Sequence, residues 1–250
     1  LIARLDIKGS DLIKGIQLEG VCKLGNPGDF ARRYYEQGAD EILYRDAVAS
    51  LYNRQKLLDI VKSTAETTFV PITVGGGMRS VDDVRQVLRA GADKIAINSA
   101  ATLCPELISE IAEKFGSQCV VLSIEAKRNG PGKWEAYRDS GREHTGLDAV
   151  EWAQRAAELG AGEILVTSVD QEGTRQGFDV ELLEAISSTV DLPMIASGGM
   201  GTLRHVDEAV RKGGADAVAM AHVLHYGVFD LPRVRAHAKT EGFHVRTLPQ

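Results

Sequence analysis

A chain of 250 residues with 44% hydrophobic content can bury one sizeable core and has the usual length of a single α/β barrel domain. Its formal net charge of −6 is not offset by any basic stripe, and aromatic residues make up only 6%, which excludes a nucleic-acid surface built on clustered Lys and Arg. No apolar run approaches the roughly 18 to 20 residues of a membrane span and no charged-then-apolar leader is present, so a cytoplasmic protein is expected.

Taken in chain order, short β-branched or apolar runs alternate with amphipathic stretches. The runs are Leu1 to Ile7, Glu41 to Tyr44, Val70 to Val74, Lys94 to Ile97, Val120 to Ile124, Glu163 to Thr167, Pro193 to Ala196 and Ala217 to Met220. Gly or polar residues and then a helical pattern follow each run after the first. Eight parallel β/α units predict closure into a (β/α)8 TIM barrel spanning 1–250 as one domain. Leu1 already lies inside an apolar-alternating segment, so the first strand is expected to start before it. Between Lys8 and Pro27 the chain is long, polar and Gly-rich for a β/α connection, which reads as an active-site lid loop.

The chain is also written twice. Gly38-Ala39-Asp40-Glu41-Ile42-Leu43 returns about 122 residues later as Gly160-Ala161-Gly162-Glu163-Ile164-Leu165. Gly76-Gly77-Met78, leading to Gly91-Ala92-Asp93, returns as Gly198-Gly199-Met200 leading to Gly214-Ala215-Asp216. Two half-barrels, about 1–119 and 120–250, are expected around an approximate two-fold axis.

In such a barrel the loops after the strands carry function. Gly75-Gly76-Gly77 and Ser197-Gly198-Gly199 follow matching strands, and Gly lets the backbone approach a ligand while a following helix offers N–H groups to a phosphate. One unit later each half has another strand ending in small or polar residues, Asn98, Ser99 and Ala100 in one, Ala221 and His222 in the other. Two phosphate sites on opposite sides of one mouth imply an elongated ligand with a phosphate at each end. Asp6 and Glu125 end the first and fifth strands, where facing carboxylates can divide acid and base work; pairing with Lys8, Lys127 or Arg128 is the structural alternative. Lys14, Asp46, Ser50, Thr167, Asp170, Glu172 with Gly173, and Thr174 crowd the same rim, with Asp46 and Asp170 expected at matching places in the two halves. At the opposite end, Glu41, Lys94 and Glu163 start three strands and predict a charged ring, a gate or a set of plain salt bridges. The histidines are scattered with no metal-ligand pair, and Cys22, Cys104 and Cys119 form no framework, so neither a metal nor another cofactor is expected.

Along almost its whole length the chain resembles the cyclase subunit of imidazole glycerol phosphate synthase, the HisF family. The resemblance rests on Leu5-Asp6-Ile7-Lys8 with Lys14-Gly15, Thr73-Val74-Gly75-Gly76-Gly77, Gly91-Ala92-Asp93-Lys94, Phe115-Gly116-Ser117-Gln118, the run Gly160 to Leu165 with Thr167-Ser168, and Ile195-Ala196-Ser197-Gly198-Gly199. It implies a lyase and cyclase that adds ammonia to a ribulosyl aminoimidazole-carboxamide nucleotide. The products would be imidazole glycerol phosphate and an aminoimidazole-carboxamide ribotide. A glutaminase subunit, docked on the N-terminal face of the barrel, would supply ammonia past Glu41, Lys94 and Glu163. Asp6 matches the family's general acid/base, and Asp93 and Lys94 match positions near the glutaminase interface and the gate.

Some positions depart from that pattern. Glu125 and Glu172 stand where the family usually has Asp, His222 where a phosphate-contacting Ser is usual, and Arg45 where an apolar residue is ordinary; the gate's usual Arg would precede Leu1. Together with Ala47-Val48-Ala49-Ser50-Leu51-Tyr52 and Ser123 to Arg128, these departures resemble a paralogue of surface-polysaccharide pathways that supplies ammonia for amidination of a sugar. A related sugar-phosphate isomerase barrel shares the twin phosphate sites but usually carries a second Asp where this chain has Lys8.

Overall fold

A computed structural model describes residues 1–47 and 54–248. Ser50 and most of the stretch Ala47 to Tyr52 therefore lie outside the described residues. The strands are β1 (Ile2–Lys8), β2 (Asp11–Ile16), β3 (Glu19–Gly25), β4 (Glu41–Asp46), β5 (Ile72–Gly75), β6 (Lys94–Ile97), β7 (Val120–Gly130), β8 (Lys133–Arg138), β9 (Glu143–Asp148), β10 (Glu163–Ser168), β11 (Met194–Ser197) and β12 (Ala217–Met220). Eight of them form the barrel in the order β1-β4-β5-β6-β7-β10-β11-β12, every neighbour is parallel, and β12 returns to β1. All eight strands read from the sequence are present.

The helices are α1 (Pro27–Glu36), α2 (Arg54–Ala65), α3 (Val81–Arg89), α4 (Ser99–Leu103), α5 (Glu106–Phe115), α6 (Ala149–Glu158), α7 (Val180–Ser187), α8 (Arg204–Arg211), α9 (His222–His225) and α10 (Leu231–Thr240). Several begin where a side chain accepts from the first free N–H groups: Asn26 before α1, Ser80 before α3, Asp148 before α6 and Asp179 before α7. The main core lies between strands and helices and includes Ala3, Leu5 and Ile7 of β1. Because side chains alternate along a strand, the other face of β1 turns inward. There Ile2 joins Leu43, Ala96, Val121, Leu165, Ile195 and Ala219 in a separate apolar layer that fills the barrel.

Two antiparallel extensions were not read from the sequence. The expected lid loop at Lys8 to Pro27 is largely a hairpin: β2 folds back on β1, pairing Asp6 with Ile13, and β3 pairs with β2. Its turn, Ile16-Gln17-Leu18-Glu19, has φ of 51° at Gln17 and 64° at Leu18. Both central residues are thus left-handed, the conformation that a tight hairpin turn demands, but without the Asn or Gly that normally advertises it. The second extension is the sheet β7-β8-β9, where β7 runs six residues past the expected end at Ile124 to Gly130.

Behind the mouth, His225 packs among aromatic rings. Its Nδ1 lies 2.7 Å from the Tyr34 hydroxyl, its ring stacks on Tyr34, and Phe30 meets it edge-on. Burial pushes its pKa down to about 3, from an ordinary 6.5. Between those values the unfolded chain binds a proton that the folded chain refuses, so stability falls as pH drops from 6.5 towards 3. In His225→Asn this loss should be shallower by up to about 1.4 kcal/mol per pH unit, the slope of one proton. Urea melts of both chains at a series of pH values measure it, and identical pH dependence would refute a neutral buried His225.

Candidate active site

Period-2 alternation carries the inward face upward from the apolar layer. On β1 it adds Arg4 and Asp6 above Ile2; on β4, Arg45 above Leu43; on β7, Ser123 and Glu125 above Val121; on β10, Thr167 above Leu165; and on β11, Ser197 above Ile195. Charged side chains in so dry a place need partners, and they have them. Arg4, 1% exposed, donates from Nε to Asp6 Oδ1 at 3.0 Å, and from Nη1 to Thr167 Oγ1 at 3.0 Å and Ser197 Oγ at 2.7 Å. Arg45 donates from Nε to Glu125 Oε1 at 3.0 Å and sets Nη1 3.9 Å from Asp6 Oδ1, so its guanidinium stands between the two carboxylates. The other Glu125 oxygen, Oε2, accepts from the Gly141 N–H at 2.9 Å. Glu172 pairs with the buried Lys14. Burial alone would raise the Asp6 carboxyl, but Arg4, Arg45 and Lys14 outweigh it and hold the group down at about 2.

This network separates the two candidate catalytic carboxylates. Asp6 is ionised at neutral pH and able to accept a proton. Glu125 has both oxygens engaged, one tying β7 to β4 and the other anchoring the turn between β8 and β9. Among the described residues, Asp6 and Glu125 pair with Arg4 and Arg45 and not with Lys8, Lys127 or Arg128. Arg4 was not singled out from the sequence, although a signal was there: an arginine two residues before Asp6 in Ile2-Ala3-Arg4-Leu5-Asp6-Ile7 is on the same inward face.

Around the network are two glycine turns. A side chain at Gly76 would approach the Asp46 carbonyl at 2.6 Å and one at Gly198 the Ser168 carbonyl at 2.8 Å, and both residues have left-handed φ, 104° and 91°. The match of Asp46 in the second half is therefore Ser168, and the expected pairing of Asp46 with Asp170 is corrected. Asp170 instead accepts from the Arg128 N–H at 2.9 Å, while its carbonyl accepts from Gln17 of the hairpin at 3.1 Å. The long helices do not follow the glycines directly. Met78, Arg79 and Ser80 intervene before α3, whose first turn Ser80 caps. It is the short α4 and α9 that open beside the turns, and neither Asn98 nor Ala221 caps them with its side chain.

The two halves differ in space. Gly76, Gly77, Asn98 and Ser99 line a cavity of about 660 Å3 that also reaches Asp46, Arg45 and Glu125. Gly198, Gly199, Gly173, Ala221 and His222 surround only about 20 Å3, with Arg4, Glu172 and Ser197 in its wall. Gly173 itself carries no side chain because one would meet the Gly15 carbonyl at 2.6 Å, where the hairpin crosses. His222 is held below its ordinary pKa by burial and by Lys14 and Arg175.

At the far end of the same axis Lys94 Nζ donates to Glu41 at 2.7 Å and to both oxygens of Glu163 at 3.0 and 2.8 Å, while Thr73 donates to Glu41 at 2.6 Å. Burial works against the Lys94 charge, but the two carboxylates overcome it and raise its pKa. Asp93 does not join this ring. It accepts from the Ile72 N–H at 2.8 Å, as Asp216 does from Met194 at 2.9 Å in the other half, so both aspartates brace a strand start.

A family model described as histidine biosynthesis protein matches residues 1–230. The chain belongs to this family. Among curated relatives of the family, a Legionella pneumophila protein named imidazole glycerol phosphate synthase subunit HisF is 66% identical over 203 residues, 81% of this chain and 96% of the relative. A Myxococcus xanthus protein of the same name is 49% identical over 248 residues, 99% of this chain and 98% of the relative. Among the described residues no helix is long and apolar enough to cross a membrane.

Removing one member of a buried ion pair leaves the other uncompensated, whereas removing both is close to neutral. Arg45→Met should accordingly cost about 3 kcal/mol of stability, and Arg45→Met with Glu125→Leu should recover most of that loss. Chemical denaturation of the single and double variants tests this; a double variant as unstable as the single one would show that the pair is not the source of the cost.

Proposed function

We propose that this chain is the cyclase subunit of an imidazole glycerol phosphate synthase. It takes a ribulosyl aminoimidazole-carboxamide nucleotide with a phosphate at each end, adds ammonia from a separate glutaminase subunit docked at the N-terminal face, and releases imidazole glycerol phosphate and an aminoimidazole-carboxamide ribotide. The observation that carries this reading is axial. Two glycine turns with uncapped short helices flank one mouth, an ionised carboxylate lies between them, and a charged ring of Glu41, Lys94 and Glu163 closes the other end of the barrel.

In this mechanism the N–H groups at Gly76 and Gly77 with the start of α4, and at Gly198 and Gly199 with the start of α9, hold the two phosphates and fix the ligand across the mouth. Asp6 then accepts a proton as ammonia adds, and can return it when the leaving fragment departs. With its pKa near 2 it begins each cycle as a base. Glu125 contributes by fixing Arg45 and the β8–β9 turn.

A second reading, the polysaccharide-pathway paralogue that delivers ammonia for sugar amidination, is favoured by one specific observation. Arg4 and Arg45 tie up both mouth carboxylates. Turnover of the nucleotide by the purified chain with excess ammonium salt and no partner separates the two: saturable loss supports the cyclase, and no loss from folded protein supports the paralogue.

Asp6→Asn should lower turnover by about 10²–10⁴-fold and leave ligand affinity within a few-fold. Unchanged turnover would remove Asp6 from proton transfer. Lys94→Ala should change glutamine-driven activity with the partner more than activity driven by free ammonium; equal losses in the two assays would reduce Lys94 to a structural ion pair.

A further inference from the structure

We infer that Arg4 is a positioning residue: its guanidinium, seated on two hydroxyls from the far wall of the mouth, fixes the Asp6 carboxylate so that Oδ1 is occupied and Oδ2 takes the proton. This deepens the proposed function and rests on it for the identity of the reaction. The seat comes from Thr167 Oγ1 and Ser197 Oγ, which accept from Arg4 Nη1 at 3.0 and 2.7 Å. Thr167 and Ser197 are directly paired across β10 and β11, so their side chains stand next to each other on the inward face. Arg4 starts on β1 and reaches them across β12, where Ala219 and Ala221 are small enough to leave it room.

A guanidinium is planar with fixed N–H directions, so holding its Nη1 end sets where Nε and Nη2 point. Nε meets Asp6 Oδ1 at 3.0 Å, while Nη2 stands 3.5 Å from Oδ2, longer than an ordinary N–H to O bond. Arg45 Nη1, at 3.9 Å, also faces Oδ1. Both cations thus crowd one oxygen, and among the described residues no donor lies closer than that 3.5 Å to the other. Charged donors lower an oxygen's affinity for a proton, which leaves Oδ2 as the basic atom. Besides Arg4, the groups that face Asp6 are Lys14 of β2, paired with Glu172, Arg45 of β4, paired with Glu125 of β7, and His225 of α9. A lysine at position 4 can supply the charge but not the fork that spans both walls.

The experiment compares Arg4→Met, Arg4→Lys and Thr167→Val in ammonium-driven turnover of the ribulosyl nucleotide. Arg4→Met and Arg4→Lys should each lower kcat by about 10²-fold, and Thr167→Val, which keeps the shape and removes one hydroxyl of the seat, by about tenfold. KM should stay within a few-fold in all three, because the ligand still binds while the carboxylate is misaligned. Near-native kcat in Arg4→Lys would overturn the inference in favour of charge alone. Near-native kcat in Thr167→Val would overturn it by reducing the seat to a structural contact, and a loss carried in KM alone would overturn it by assigning Arg4 to ligand binding. A second readout needs no ligand: the ¹³C resonance of the Asp6 carboxyl, identified as the signal missing from Asp6→Asn. It should titrate about 1–3 pH units higher in Arg4→Met than in the unchanged chain, and an unchanged titration would overturn the inference. If Arg4→Met does not fold, Arg4→Lys and Thr167→Val still decide. Folded protein that turns over no nucleotide would refute the proposed function, and the titration then decides by itself whether Arg4 holds Asp6.

Discussion

A charge that points into a closed barrel cannot reach bulk water and must find its counter-charge inside. Everything functional in this structure depends on how that constraint is met at the two ends of one axis. At the base, Lys94 is shared by Glu41 and Glu163. At the mouth, Arg4 meets Asp6, Arg45 meets Glu125, and Lys14 meets Glu172. Between the ends lies a layer of apolar side chains that carries no polar atom able to stabilise an ion. A neutral molecule can pass such a layer at modest cost, and a charged one cannot.

The two halves of the barrel carry matching glycine turns and are not equivalent around them. Both inward arginines come from the first half, and the matching positions in the second hold Ser123 and Thr167. Arg4 reaches into the second half and packs its mouth; Arg45 turns to the β7 carboxylate, 80 residues away in sequence. The second half is further closed by the hairpin, whose Lys14 and Gln17 bind Glu172 and Asp170. Matching glycine turns thus border one roomy and one tight cavity.

Chain order and periodicity made the barrel legible. The strand runs were continuous, β-branched and separated by helix-length segments, so neighbours in the sheet followed from parallel connection rules. The glycine turns were legible because left-handed backbone and close carbonyl approach at Gly76 and Gly198 require glycine in both halves. The first hairpin was hidden because Gln17 and Leu18 adopt left-handed conformations that their residue types do not announce; the second extension carried a turn signal, Asn129-Gly130-Pro131-Gly132 between β7 and β8, which the barrel reading passed over. Asp93 stands beside Lys94 at the base as its place in the chain implies, but that place does not say which backbone group its carboxylate meets, the Ile72 N–H.

By itself the sequence determined the strand count, the internal duplication, the inward positions of Asp6, Glu125, Glu41, Lys94 and Glu163, and the family. It could do so because alternation along a strand and repetition along a chain are one-dimensional properties. Only the tertiary structure decided which carboxylate meets which cation, that Glu125 is held at both oxygens while Asp6 is ionised by three neighbours, and that Arg4 crosses β12 to reach Thr167 and Ser197. Those outcomes depend on distances between residues some 80 to 190 apart in the chain, set by barrel closure and by the space that alanines leave on β12.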